Sequence, residues 1–64
     1  MPGYITYIND KNKWGYIKGY DEELYYFEFT SLMFPQEKLA NNLEVNFEVN
    51  LNGIILYALD IKLA

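Results

Sequence analysis

The chain has 64 residues, of which 52% are hydrophobic and 19% aromatic, and its formal net charge is −4. At this length residues 1–64 are expected to form a single small domain whose stability comes from apolar packing. Because the sequence contains no Cys and no His, it excludes disulfides, the usual zinc sites, the commonest catalytic base and the thiolate nucleophile. It therefore predicts a protein that is not an enzyme and holds no metal or cofactor.

The first half of the chain consists of short aromatic and β-branched segments separated by polar turns, a pattern typical of an all-β fold. The first predicted strand covers residues 4–9, where period-two alternation places Ile5 and Tyr7 on the same face. The second predicted strand covers residues 14–18. One of its faces carries two aromatic residues, Trp14 and Tyr16.

The third predicted strand covers residues 24–29, and Glu28 determines its orientation. A carboxylate is costly to bury without a partner, so Glu28 must face outward. Tyr26 has the same parity and faces outward with it. Tyr25 and Phe27 then face the core.

The second half of the chain supplies two more predicted strands. Residues 30–42 lack alternation and are expected to form a long loop with a turn of helix. Residues 43–50 form the fourth strand, and its predicted core face carries Leu43, Val45, Phe47 and Val49. Asn52-Gly53 predicts a hairpin turn, and residues 54–62 form the fifth strand. Five short antiparallel strands, closed to remove their edges, predict a small five-stranded antiparallel barrel.

The outward faces of the second and third strands bring aromatic rings together. These strands follow one another and are expected to pair, which places Trp14 beside Tyr16 and Tyr26, with Glu28 next to them. Exposed aromatic patches usually mark an interface, and flat rings suit base stacking, although aromatics are also common core residues in strands. The border of this patch is expected to carry Tyr7, Phe29, Lys11, Lys13 and Lys18.

Charge and hydropathy limit the partners of such a patch. All five basic residues are Lys, against nine acids, which excludes a strongly basic nucleic-acid binder but not one that relies on stacking. The longest apolar run, residues 54–59, is far shorter than a membrane span. The first residues lack the basic and apolar regions of a signal peptide. We therefore expect a cytoplasmic protein with no membrane partner.

Three segments match, in order and spacing, the motifs of a known family. GYITYIN (residues 3–9), NKWGYI (residues 12–17) and YYFEF (residues 25–29) stand where bacterial cold-shock proteins have G-x-V-K-W-F-N, K-G-F-G-F-I and V-F-V-H-F. The chain resembles that family over nearly its whole length. The resemblance implies an oligonucleotide/oligosaccharide-binding (OB) fold that binds single-stranded RNA or DNA, in the manner of an RNA chaperone.

The resemblance also implies which residues bind and where binding is altered. By position, the stacking residues are Tyr7, Trp14, Tyr16, Tyr26 and Phe29, with Phe34 in place of a loop aromatic. Glu28 replaces the family's histidine at the centre of the face, which is expected to weaken binding or change base preference. Lys13 replaces a glycine, so a loop conformation with positive φ is expected to be lost there.

A second class of function remains open on the same barrel. Glu28 and the acidic turn at residues 21–23 are also compatible with a protein-interaction module that uses the aromatic and acidic face, in a monomer or a homodimer. The same turn offers the best candidate for an enzyme site, but three consecutive acids in a turn are usually only solvated.

Overall fold

A computed structural model describes all of residues 1–64 and contains five β-strands. The strands are β1 (Pro2–Asn9), β2 (Trp14–Gly19), β3 (Leu24–Glu28), β4 (Glu44–Asn52) and β5 (Ile55–Leu63). Two short 3-10 turns, Phe29–Ser31 and Gln36–Lys38, lie between β3 and β4. The predicted strands are thus confirmed with shifted ends, and the predicted loop with helical turns is confirmed as well.

The five strands form one closed barrel in the order β1-β2-β3-β5-β4. Four neighbouring pairs are antiparallel, and β3 pairs with β5 in parallel where Tyr26 lies opposite Tyr57. The sequence predicted antiparallel pairing throughout, which is wrong at this one junction. A ring with an odd number of strands cannot alternate direction at every neighbour, so closure requires a parallel pair. The all-β barrel of OB type is otherwise confirmed.

The barrel interior is filled by eight buried residues, which are Ile5, Ile17, Tyr25, Phe27, Val45, Phe47, Ala58 and Ile61. Tyr25 and Phe27 are both buried, as the outward orientation of Glu28 predicted. The rings of Tyr25 and Phe47 lie 4.9 Å apart between centroids and join β3 to β4 across the core. Neither Trp14, Tyr16 nor Tyr26 belongs to this buried cluster or packs against it.

A β-bulge in β1 reverses the face on which Tyr7 lies. The register between β1 and β2 shifts between Ile5 and Tyr7, and an extra residue at such a point turns the following side chains to the other face. Ile5 is completely buried, whereas Tyr7 is 47% exposed and Ile8 packs against the core. The prediction that Ile5 and Tyr7 share a face is therefore wrong.

Gly15 lies opposite this bulge, where two neighbours approach its backbone closely. A Cβ atom at Gly15 would lie 2.4 Å from the carbonyl oxygen of Tyr7 and 2.8 Å from Cζ of Phe27. Both distances are far below ordinary van der Waals contact. β2 therefore needs glycine at this position to lie between the bulge and the core.

The β4–β5 hairpin extends beyond the core. Phe47 is the last buried residue of β4, and the rest of that strand is exposed. Val49 is 46% exposed, which corrects its predicted place in the core. The register between β4 and β5 shifts between Asn46 and Glu48. After this point the side chains of β4 no longer alternate between the core and the solvent. The predicted hairpin turn is present one residue later than expected, at Gly53 and Ile54 between the paired residues Asn52 and Ile55, and Gly53 has a φ of 65°.

Candidate nucleic-acid interface

The outer face of β2 and β3 carries the aromatic patch that the sequence predicted. The two strands pair antiparallel with Tyr16 opposite Tyr26 and Trp14 opposite Glu28. Their buried neighbours point into the barrel, so period-two alternation directs these four side chains outward.

Trp14 is the centre of a continuous group of ring contacts. Its centroid lies 5.4 Å from that of Tyr7, 5.4 Å from that of Tyr16 and 5.7 Å from that of Tyr26. These separations are typical of interacting aromatic pairs. Tyr7 reaches this group only because the bulge in β1 turns its side chain outward, which makes the bulge part of the site.

Tyr57 also belongs to this group of contacting rings, and it was not predicted from the sequence. Its ring meets that of Tyr26 edge to face, with 5.4 Å between centroids. Alternation relative to Ala58, which is buried, is the local signal for an outward Tyr57. Its position next to Tyr26 depends on the parallel pairing of β3 with β5, which no local pattern reveals. We call Tyr7, Trp14, Tyr16, Tyr26 and Tyr57 the aromatic face.

Phe29 and Phe34 lie outside the ring contacts of the aromatic face. Both are half-buried and pack against the core cluster. Phe29 stacks on Phe27, with 6.2 Å between centroids and 13° between planes. The Nζ atom of Lys13 lies 5.6 Å from the centroid of Phe29, within the range of a cation–π contact. These two rings therefore pack against the core cluster, whereas the rings of the aromatic face contact one another.

The three lysines predicted to border the patch differ in whether they form an ion pair. Lys13 lies 3.6 Å from the carboxylate of Asp10, and Lys18 lies 3.5 Å from that of Glu22. Lys11 forms no ion pair. Because ion pairs between exposed groups are weak, Lys13 and Lys18 can exchange their carboxylate partners for a phosphate, and Lys11 has no such partner to lose.

At Lys13, in the turn between β1 and β2, the expected loss of a positive-φ conformation does not occur. Its φ is 62°, so the left-handed conformation is kept although no glycine is present. The turn is held by a hydrogen bond from the Lys13 amide to the Asn9 carbonyl oxygen, 2.8 Å long, and by a second from the Asn12 amide to the Asn9 side chain, 3.0 Å long. The turn therefore keeps its shape at a cost in backbone strain.

Glu28 places a negative charge directly beside the aromatic rings. Its side chain is exposed and forms no ion pair. The Tyr26 hydroxyl donates a long hydrogen bond of 3.4 Å to Oε2 of Glu28. Burial raises the pKa of Tyr26, and the nearby Glu28 charge raises it further.

Asp21, in the acidic turn before β3, accepts two hydrogen bonds. The Tyr25 hydroxyl donates a 2.5 Å hydrogen bond to Oδ2 of Asp21, and the Glu23 amide donates one of 3.1 Å to Oδ1. The bond to Tyr25 is the main reason why the pKa of Asp21 is lowered, and it raises the pKa of Tyr25 to about 12. Asp21 is therefore engaged in the turn itself.

No group of three or more acidic residues is arranged to hold a metal ion, and no helix has the length and apolar character needed to cross a membrane. No protein-family model matches the chain, and no curated protein matches it. The likeness to cold-shock proteins thus stays a prediction.

Proposed function

We propose that this protein binds single-stranded RNA or DNA by stacking bases on the aromatic face. The observation that carries the proposal is the unbroken set of ring contacts on the outside of the barrel, among residues that take no part in the buried core cluster. Exposed rings are costly in water unless they meet a partner, and every base offers a flat surface to a ring.

Stacking energies are sufficient for useful affinity. Each stacked base contributes roughly 1–3 kcal/mol. Three stacked bases would contribute roughly 3–9 kcal/mol before the cost of ordering the strand, which is compatible with micromolar binding. The net charge of −4 favours this mode over one that depends mainly on phosphate contacts.

The charges also suggest how a strand would lie. Lys11 and Lys13 occupy the turn at the Trp14 end of β2, whereas Glu22 and Glu23 precede β3 at the opposite end. A polyanion therefore gains most by placing its phosphates near the two lysines. With Lys18, on the same outward face of β2, as a third contact, the slope of log K against log salt is expected near −2.

The biological role that fits this binding is that of an RNA chaperone in the cytoplasm. A protein that stacks bases with little regard to sequence stabilises unpaired strands and thereby opens weak RNA hairpins. The resemblance to cold-shock proteins supports this role. It adds to the surface geometry and does not replace it.

A pair of matched tyrosine variants tests the proposal. Tyr7→Ala removes an exposed ring of the aromatic face, and Tyr20→Ala removes a similarly exposed ring outside it, at 47% and 57% exposure. In fluorescence anisotropy with labelled oligothymidylate and oligouridylate, Tyr7→Ala is expected to weaken binding about tenfold. Tyr20→Ala is expected to bind like the unmodified protein. Equal effects of the two variants would reject the aromatic face as the site.

A further inference from the structure

A second surface feature lies at one end of the aromatic face, between β3 and the tip of the β4–β5 hairpin. It is a groove of about 730 Å³, within the range typical of ligand sites. Seven of its ten lining residues are hydrophobic. Its apolar lining includes Leu24, Ile54, Ile55 and Leu56, together with the rings of Tyr26 and Tyr57.

The groove is open because β3 and β5 pair with each other at one position only. They pair where Tyr26 lies opposite Tyr57, and no strand pairs with this edge of β3 before that position. Leu24 is 53% exposed, Ile55 is 49% exposed and Ile54 is 97% exposed. None of the three contributes to the core cluster, so the barrel itself does not account for this apolar surface.

The charges at the groove are all negative. Glu22 and Glu23 line it at the start of β3, and Glu28 lines it at the end, while no lysine does. Lys18 forms an ion pair with Glu22. Glu23 and Glu28 form none. A phosphate chain is therefore repelled here, whereas a cationic side chain is attracted and finds tyrosine rings that suit cation–π contact.

We propose that this groove binds an extended segment of another protein that carries basic residues on both sides of an apolar residue. Leu24, Tyr26 and Glu28 point outward along β3, and four residues of a strand span about 14 Å. An extended segment that lies over these outward side chains, with basic residues four positions apart, would place those residues near the two acidic ends and its middle residue over the apolar floor. Before Tyr26 the edge of β3 is unpaired and offers main-chain groups to one end of such a segment.

A defined peptide tests this surface directly. The probe is a five-residue peptide, capped at both ends, with lysine at each end, leucine in the middle and threonine between them. In a ¹H–¹⁵N NMR titration at low salt, we expect the largest shifts at Leu24, Tyr26 and Ile55. The same peptide with glutamate in place of lysine is expected to cause no shifts. Absence of binding by the lysine peptide at millimolar concentration would overturn the proposal.

Two matched variants distinguish peptide binding in the groove from binding elsewhere on the β4–β5 hairpin. Ile55→Ser removes part of the groove lining, and Val49→Ser changes a similarly exposed residue of the same hairpin outside it. The first is expected to weaken peptide binding about fivefold to tenfold, since it removes most of one apolar contact. The second is expected to leave binding unchanged. Equal losses in both variants would contradict a site in the groove.

A second pair of variants tests the charge of the partner. Glu23→Lys reverses an acid of the groove, while Glu37→Lys makes the same change in net charge on an exposed residue elsewhere. Only the first is expected to weaken peptide binding, by about fivefold. If a single-stranded oligonucleotide shifts Leu24 and Ile55 and the peptide does not, the groove belongs to nucleic-acid binding and this proposal is wrong. Because the probe is a peptide, its result is independent of whether the aromatic face binds nucleic acid.

Discussion

Removing the charge of Glu28 should strengthen oligonucleotide binding. Glu28 lies directly opposite Trp14, so a base stacked on Trp14 brings its phosphates close to the carboxylate. At about 8 Å, with an effective dielectric constant of about 40 to 80, the repulsion is about 0.5–1 kcal/mol per phosphate. Two flanking phosphates give about 1–2 kcal/mol, so Glu28→Gln should bind about fivefold or more tightly at low salt.

The assay is an anisotropy titration of labelled oligothymidylate at two salt concentrations. The gain should shrink to about twofold near 0.1 M salt, because the screening length there is about 10 Å. Glu28→His should add a stacking ring and bind at least as tightly as the glutamine variant. Glu48→Gln, which neutralises an exposed acid on β4, is the control and should not change binding. Unchanged or weaker binding by Glu28→Gln would refute this account of the face.

Three further changes test the barrel that supports the face, each by urea unfolding. Gly15→Ala should lower the free energy of unfolding by about 2–3 kcal/mol, because its Cβ would clash with Phe27 and with the backbone of the bulge; a loss below about 0.5 kcal/mol would contradict this packing. Lys13→Gly should raise stability by about 0.5–1 kcal/mol, since glycine relieves the positive φ; a decrease would mean that the lysine contacts outweigh the strain. The unmodified protein should lose stability as the pH rises from 10 towards 12, because the folded pKa of Tyr25 is about 12 against an ordinary 10.0. It should also lose stability as the pH falls through 3.8 and below, because the hydrogen bond from Tyr25 lowers the folded pKa of Asp21. Tyr25→Phe should reduce both dependences, and an unchanged pH profile would reject the hydrogen bond as their cause.

Local alternation was enough to predict the part of the site that lies on β2 and β3. A carboxylate must face water, so Glu28 alone determined the parity of β3 and placed Tyr26 outward. Trp14 and Tyr16 then joined it through the expected pairing of consecutive strands. The structure confirms these orientations and the pairing.

The parts that the sequence did not predict depend on irregular backbone and on long-range closure. The bulge in β1 turns Tyr7 outward, and an irregular register in β4 leaves Val49 exposed. Alternation assumes regular strands and fails at both points. Tyr57 meets Tyr26 only through the parallel junction that closes the barrel. Lys13 keeps a positive φ because hydrogen bonds of the turn hold it, which residue preference alone does not indicate.

Trp14 offers the most direct test of nucleic-acid binding, because it is the only tryptophan and lies at the centre of the aromatic face. Short oligothymidylate and oligouridylate should quench its fluorescence, with half-saturation at micromolar concentration in low salt and a slope of about −2 in log K against log salt. No quenching at tens of micromolar oligonucleotide in low salt would contradict the proposal that the aromatic face binds single strands.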